Sequence, residues 1–204
     1  MLAGAHLHTL YWDNGAVTAV DFTPCSRMVV VVAAAAAAST ATARVLVWSA
    51  VSGQILRWLD GAHQSRLITR IAWLGHGCDV PPLLLTTDTD GCLAGWRITA
   101  EPTGGMGPLW TTCVASTKGD EEQHSGPSIV CLAASHDAHR IAVGQQNGWF
   151  YMLDAATRRV IAQGHSSAAA TPRDCAHPVA CGWSADGLTA IALHSDGVVR
   201  GWGG

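Results

Sequence analysis

The chain has 204 residues, nearly half of them apolar and only 13% charged, with a formal net charge of −3. That suits one globular core or one short repeat array and excludes an intrinsically disordered chain. A single lysine, Lys118, and a slight acidic excess argue against a broad electrostatic footprint on nucleic acid or on an anionic membrane.

The N-terminus, MLAGAHLHTLYWDNG, has no basic n-region and its apolar run is broken by histidines, so no secretory leader is expected. Within it, Ala5 to Trp12 reads as an isolated strand. The first unit, about 17–61, starts with a strand in VTAVDFT and continues through the valine run after Met28 to a strand ending at Trp48. The uncharged stretch from Met28 to Ala43 is shorter than the ~20 apolar residues that a membrane-spanning helix needs.

The second unit, about 66–116, is the most regular. It reads as ITRIAWLG, then LLLTTD, an Asp90-Gly91 turn, CLAGWRI, and a last strand in PLWTTCVA. Asp-Gly suits a tight hairpin because glycine accepts positive φ without steric cost. The third unit, about 128–165, runs through IVCLAAS, IAVGQ, an Asn147-Gly148 turn, WFYMLD and VIAQGH. The fourth, about 178–204, has VACGWS, LTAIALH, an Asp196-Gly197 turn and VVRGW, with no fourth strand after Trp202. Ala5 to Trp12 precedes the first unit where such a strand belongs, and is predicted to close the C-terminal blade and cover its open edge.

Trp48, Trp96, Leu153 and Trp202 end the third strand of successive units about 50 residues apart, close to the period of four-stranded propeller blades. The fold expected over 1–204 is therefore all-β, with four antiparallel units stacked so that each buries its neighbour's faces. The sequence also resembles the WD-repeat β-propeller family, whose blades are pinned by a histidine, a Ser or Thr, an aspartate before the turn glycine, and a tryptophan. By position the second unit carries His63, Thr86, Asp90 and Trp96, and the fourth keeps His165, Asp196 and Trp202. The resemblance implies that these seven residues form structural blade networks. Propellers of this family usually have about seven blades. Four units leave three readings open: a piece of a larger ring, a small closed ring, or half of a ring that a partner or a second copy completes.

Constellations that suggest chemistry lack supporting context. His6-x-His8, His136-x-x-His139 and Cys175-x-His177 have no third ligand fixed by a motif. Ser184, Asp186 and His194 have no nucleophile elbow around them. Seven cysteines without a Cys-x-x-Cys pair fit neither a zinc ribbon nor a redox motif, and their setting in apolar strands predicts reduced thiols. The expectation is a non-enzymatic protein without metal or cofactor, in the cytoplasm or nucleus.

The family resemblance puts the loops between units and the turns between second and third strands on one rim, the usual partner face. Asp120, Glu121, Glu122, Arg173, Asn147 and Trp149 are the candidate contacts, with Trp149 the aromatic anchor. The function expected is a protein-binding scaffold within a multiprotein complex, without nucleic-acid or membrane partners. The alternative is a non-catalytic subunit of an RNA-modifying or RNA-binding complex.

Overall fold

Short runs of β-branched and aliphatic residues, punctuated by Asp-Gly and Asn-Gly pairs, leave the chain little choice but antiparallel hairpins. The computed structural model describes residues 9, 15–35, 43–59, 61–63, 66–75, 82–98, 107–114, 126–166 and 176–203. These form fifteen strands in four sheets, each a simple meander. The first sheet holds β1 (Gly15–Phe22), β2 (Met28–Ala35), β3 (Ala43–Ser49) and β4 (Ile55–Leu59). In the second are β5 (Ile68–Leu74), β6 (Leu83–Asp88), β7 (Cys92–Arg97) and β8 (Trp110–Cys113). The third contains β9 (Ile129–Ala134), β10 (Arg140–Gln145), β11 (Trp149–Asp154) and β12 (Val160–His165). The fourth comprises β13 (Pro178–Trp183), β14 (Thr189–His194) and β15 (Val199–Gly203), three strands among the described residues. The segment proposed to complete it, Ala5 to Trp12, lies outside the described residues except for Thr9.

Each sheet buries alternate residues against its neighbours. Met28, Val30 and Val32 on β2, with Val45 and Val47 on β3, pack against Trp73, Leu84 and Trp96 of the second sheet. Leu85 and Leu93, on the opposite face, meet Ile141, Val143, Tyr151 and Leu153 of the third. Ala142, Phe150 and Met152 then carry the packing to Ala190 and Ala192 of the fourth. Three apolar layers therefore join four sheets in chain order. The outward face of the fourth sheet is different: Ile191, Leu193 and Val199 are exposed.

The register identifies equivalent positions. Trp48 pairs with Val29, Trp96 with Leu84, Leu153 with Ile141 and Trp202 with Ala190. Counting along the second strand of each sheet from these anchors, one column contains Val31, Thr86, Val143 and Ala192. The next position on the same face contains Ala33, Asp88, Gln145 and His194, all buried.

The turn between first and second strands also repeats. Thr23, Ser135 and Ser184 each use the hydroxyl oxygen to accept the amide of the residue five positions on: Met28 at 3.1 Å, Arg140 at 2.9 Å and Thr189 at 2.9 Å. The fourth residue of each turn has positive φ: Ser26 at 56°, Ala138 at 60° and Gly187 at 69°. Glycine occupies that position in only one of the three. On the same rim, Arg140 Nη1 donates to the Gly187 carbonyl at 2.8 Å and ties the third sheet to the fourth.

Candidate interaction surface

The turns between second and third strands gather with the connections between sheets, as expected. Gly126 N donates to the Asp90 carbonyl at 2.7 Å, Ser166 N to the Gly148 carbonyl at 3.0 Å, and Ser195 N to the His177 carbonyl at 2.9 Å. Gly91 has φ 78°, and a Cβ there would meet the Pro127 carbonyl oxygen at 3.0 Å. Both the dihedral and the close approach require glycine.

A buried polar cluster supports this rim in the second sheet. Trp96 Nε1 donates to Thr86 Oγ1 at 2.8 Å. The two His63 nitrogens reach Thr86 Oγ1 at 2.7 Å and Asp88 Oδ2 at 2.9 Å. The indole can only donate and the carboxylate only accepts. A neutral His63 with its proton on Nδ1 therefore satisfies the set: Nδ1–H donates to Asp88, and the Thr86 hydroxyl donates to Nε2. The aspartate is Asp88 and not the expected Asp90. Asp88 Oδ1 accepts the amides of Asp90 at 2.9 Å and Cys92 at 2.8 Å, so it also shapes the turn. Burial pushes the Asp88 carboxyl up, but the His63 hydrogen bond and the Cys92 amide outweigh it and hold the group below its usual range. Asp90 instead forms a half-exposed ion pair with Arg66, Nε to Oδ2 at 2.8 Å. Asp88 was hidden because the sequence pattern pointed to the residue beside the glycine. The informative position is three before it, as Asp88/Gly91, Gln145/Gly148 and His194/Gly197 all show.

The other sheets carry this cluster in eroded form. In the first, Val31 replaces the threonine, and the buried indole nitrogen of Trp48 has no hydrogen-bond partner among the described residues. In the third, Gln145 Nε2 donates to the Val114 carbonyl at 2.5 Å, so the polar side chain still fastens the connection from the preceding sheet.

The expected network of His165, Asp196 and Trp202 in the fourth sheet does not assemble. Alanine at 192 removes the shared hydroxyl, and the buried His194 occupies the aspartate's position. Burial, and next the positive charge of Arg200, lower the pKa of His194. His165 is exposed and Nε2 contacts the Asn147 carbonyl at 3.0 Å. Asp196 is a turn residue: its hydrogen bond to Arg200 and the Val198 amide hold its carboxyl down to about 2. Trp202 stacks on Phe150 of the third sheet, with centroids 4.2 Å apart, and lies against Gly164.

Trp149 is half-buried, not a free anchor on the rim. It stacks on Tyr151 at 5.9 Å and meets the His165 ring edge-on at 5.0 Å. Asn147 is half-buried too, its side chain accepting the Trp149 amide at 3.3 Å. Asp120, Glu121, Glu122 and Arg173 lie outside the described residues.

The residues weighed for chemistry are not brought together. Ser184 Oγ donates to Asp186 Oδ1 at 2.5 Å in the turn before β14, whereas His194 ends that strand. Five residue steps of extended chain separate Thr189 from His194, roughly 16 Å at strand rise. His136 and His139 are both exposed in a turn, and no group of three metal-ligating side chains occurs among the described residues. His6, His8 and Cys175 lie outside them. No helix among the described residues is long and apolar enough to cross a membrane.

No family model matches this sequence, and no curated protein matches it. Among solved structures, the computationally designed Ika4 protein is similar with a TM-score of 0.63 and 24% identity, over 98% of this chain and 99% of that one. The fold is a β-propeller. The computationally designed Ika8 protein is similar with a TM-score of 0.58 and 23% identity, over 92% of this chain. The match covers 46% of Ika8, so this propeller chain spans about half its length.

Proposed function

We propose that this chain is a WD-repeat scaffold that binds other proteins and has no catalytic role of its own. The His63, Thr86, Asp88 and Trp96 cluster supports the family, because those residue types occupy the pinning positions of a WD-type blade and satisfy one another. The observation that carries the binding role is the outward face of the fourth blade. Ile191, Leu193 and Val199 expose 40%, 43% and 63% of their surface on that face. A contiguous exposed apolar sheet face of this kind is a surface on which a partner's apolar side chains pack. The partner would be a protein with an apolar surface of its own, in the cytoplasm or nucleus.

The test is photo-crosslinking from position 199 of the full chain in a cell extract, beside the same probe in an Ile191→Lys/Leu193→Lys variant. Protein adducts at position 199 that the double variant loses, while retaining native circular dichroism, are the expected result. Adducts with RNA, falling steeply with salt, would favour the RNA-complex reading instead. Equal capture by wild type and variant would refute binding at this face.

A further inference from the structure

The cysteines look scattered in sequence, but the fold brings two of them together at the rim of the second blade. Cys92 opens β7 and Cys113 closes β8, and they face each other in the ladder. Val114 N donates to the Gly91 carbonyl at 2.9 Å, which makes Cys92 and Cys113 a non-hydrogen-bonded pair of the antiparallel ladder. In such pairs the α-carbons come within about 4.5 Å and the side chains are closest. That spacing lies inside the range a disulfide spans. The two sulfurs are in contact at 2.8 Å. Their settings differ: Cys113 is exposed and Cys92 is buried. Arg66 Nη1 donates to Cys92 Sγ at 3.5 Å, and the Cys92 amide is held by Asp88.

We propose that Cys92 and Cys113 are a peroxide-sensitive dithiol that closes reversibly into a cross-strand disulfide, with a hydroperoxide as the two-electron oxidant. Cys113, the accessible sulfur, attacks the peroxide O–O bond as thiolate. It becomes a sulfenic acid, and the other oxygen leaves and takes up a proton as water. The Cys92 sulfur then attacks the Cys113 sulfur and the S–O bond breaks. The departing hydroxide leaves as water with the proton from the Cys92 thiol. Overall, two thiols and one hydrogen peroxide give one disulfide and two waters. A small dithiol such as dithiothreitol reverses the reaction by exchange.

The roles follow from the geometry. Burial, with the Cys113 contact and the Asp88 charge, pushes the Cys92 thiol up to about 12, so it stays protonated and resolves rather than initiates. Arg66 can stabilise negative charge that develops on Cys92 during the second step. Closure would join the third and fourth strands of the second blade beside the Asp88 turn, whatever partner the scaffold binds.

The test treats the reduced full chain with hydrogen peroxide, blocks remaining thiols with iodoacetamide and maps peptides without reduction. Exposed Cys25 reports the general level of oxidation. The expected result is a crosslink between the Cys92 and Cys113 peptides at peroxide levels that leave Cys25 largely alkylated, reversed by dithiothreitol. Cys113→Ser should abolish it and leave Cys92 alkylatable in denaturant, whereas Cys181→Ser should leave it unchanged. Cys92→Ser should accumulate a sulfenic acid at Cys113 that dimedone traps, so the proposal stays testable if one variant misfolds. It is overturned if both peptides remain alkylated while Cys25 is oxidised, or if wild-type Cys113 advances to sulfinic acid with Cys92 free.

Discussion

Asp88→Ala tests the polar cluster directly. The substitution strands three donors: His63 Nδ1–H and the amides of Asp90 and Cys92. Asp90 is half-exposed, so its amide can turn to water, but His63 and Cys92 are buried. Two unsatisfied buried donors at about 1–3 kcal/mol each, partly offset by no longer burying a carboxylate, give a central expectation of about 3 kcal/mol. Small domains have about 5–15 kcal/mol in total, so the loss would be conspicuous. With a urea m-value of about 2–3 kcal/mol/M, the midpoint should fall by about 1–1.5 M. Asp90→Ala removes only the half-exposed Arg66 pair and should cost less than about 1 kcal/mol. Linkage supplies a second readout. A carboxyl whose pKa is lowered in the fold contributes stability that is present above its unfolded value, about 3.9, and is lost as pH falls through the folded one. Asp88→Ala should therefore flatten the acid side of the stability profile below about pH 4. Urea titrations of both variants across pH decide the matter. An Asp90→Ala loss equal to or larger than that of Asp88→Ala would refute the assignment.

Val31→Thr should supply the hydroxyl that the Trp48 indole lacks and be neutral or stabilising by up to about 1 kcal/mol, whereas Val30→Thr, on the other face, should cost about 1–3 kcal/mol; urea midpoints distinguish them. Ala138→Gly should stabilise by about 0.5–1 kcal/mol, because the left-handed penalty of about 1–2 kcal/mol exceeds the entropic cost of glycine. Gly187→Ala should destabilise by about 1 kcal/mol for the same reason, as thermal melts would show. His194 has a lowered pKa in the fold, so the unfolded chain binds the extra proton first and stability falls as pH drops below about 6.5; His194→Leu should remove that slope between pH 6.5 and the folded value, measured by urea midpoints. Deleting the first twelve residues should promote association through the β15 edge, and light scattering that finds the same monomer before and after would refute closure by that segment.

The strands of the second to fourth sheets were legible because their apolar runs are short and Asp-Gly or Asn-Gly marks the turn between second and third strands. Trp48, Trp96, Leu153 and Trp202 marked equivalent strand ends, and the register places all four in the same relation to the preceding strand. The cluster was legible only in part. His63, Thr86 and Trp96 each stand at a recognisable place, whereas Asp88 and Asp90 are two carboxylates only two residues apart. Burial and the reach of His63 separate them, and neither is written in the spacing. The fourth blade misled for another reason. The surviving His165, Asp196 and Trp202 looked like a network, but losing the hydroxyl at position 192 removes the hub through which histidine and tryptophan meet. The cysteine pair was invisible because strand partnership, and not spacing along the chain, sets which sulfurs touch.

The stacking of Trp202 on Phe150 has a temporal side. Phe150 is made roughly fifty residues before the ring that covers it, which at about 5–20 residues per second is a delay on the order of seconds during synthesis. Hairpins close in about 1–10 μs, so the third blade can pair its strands long before that covering ring exists. For those seconds a nascent chain would display the Phe150 face uncapped, the stage at which a chaperone would have most to hold.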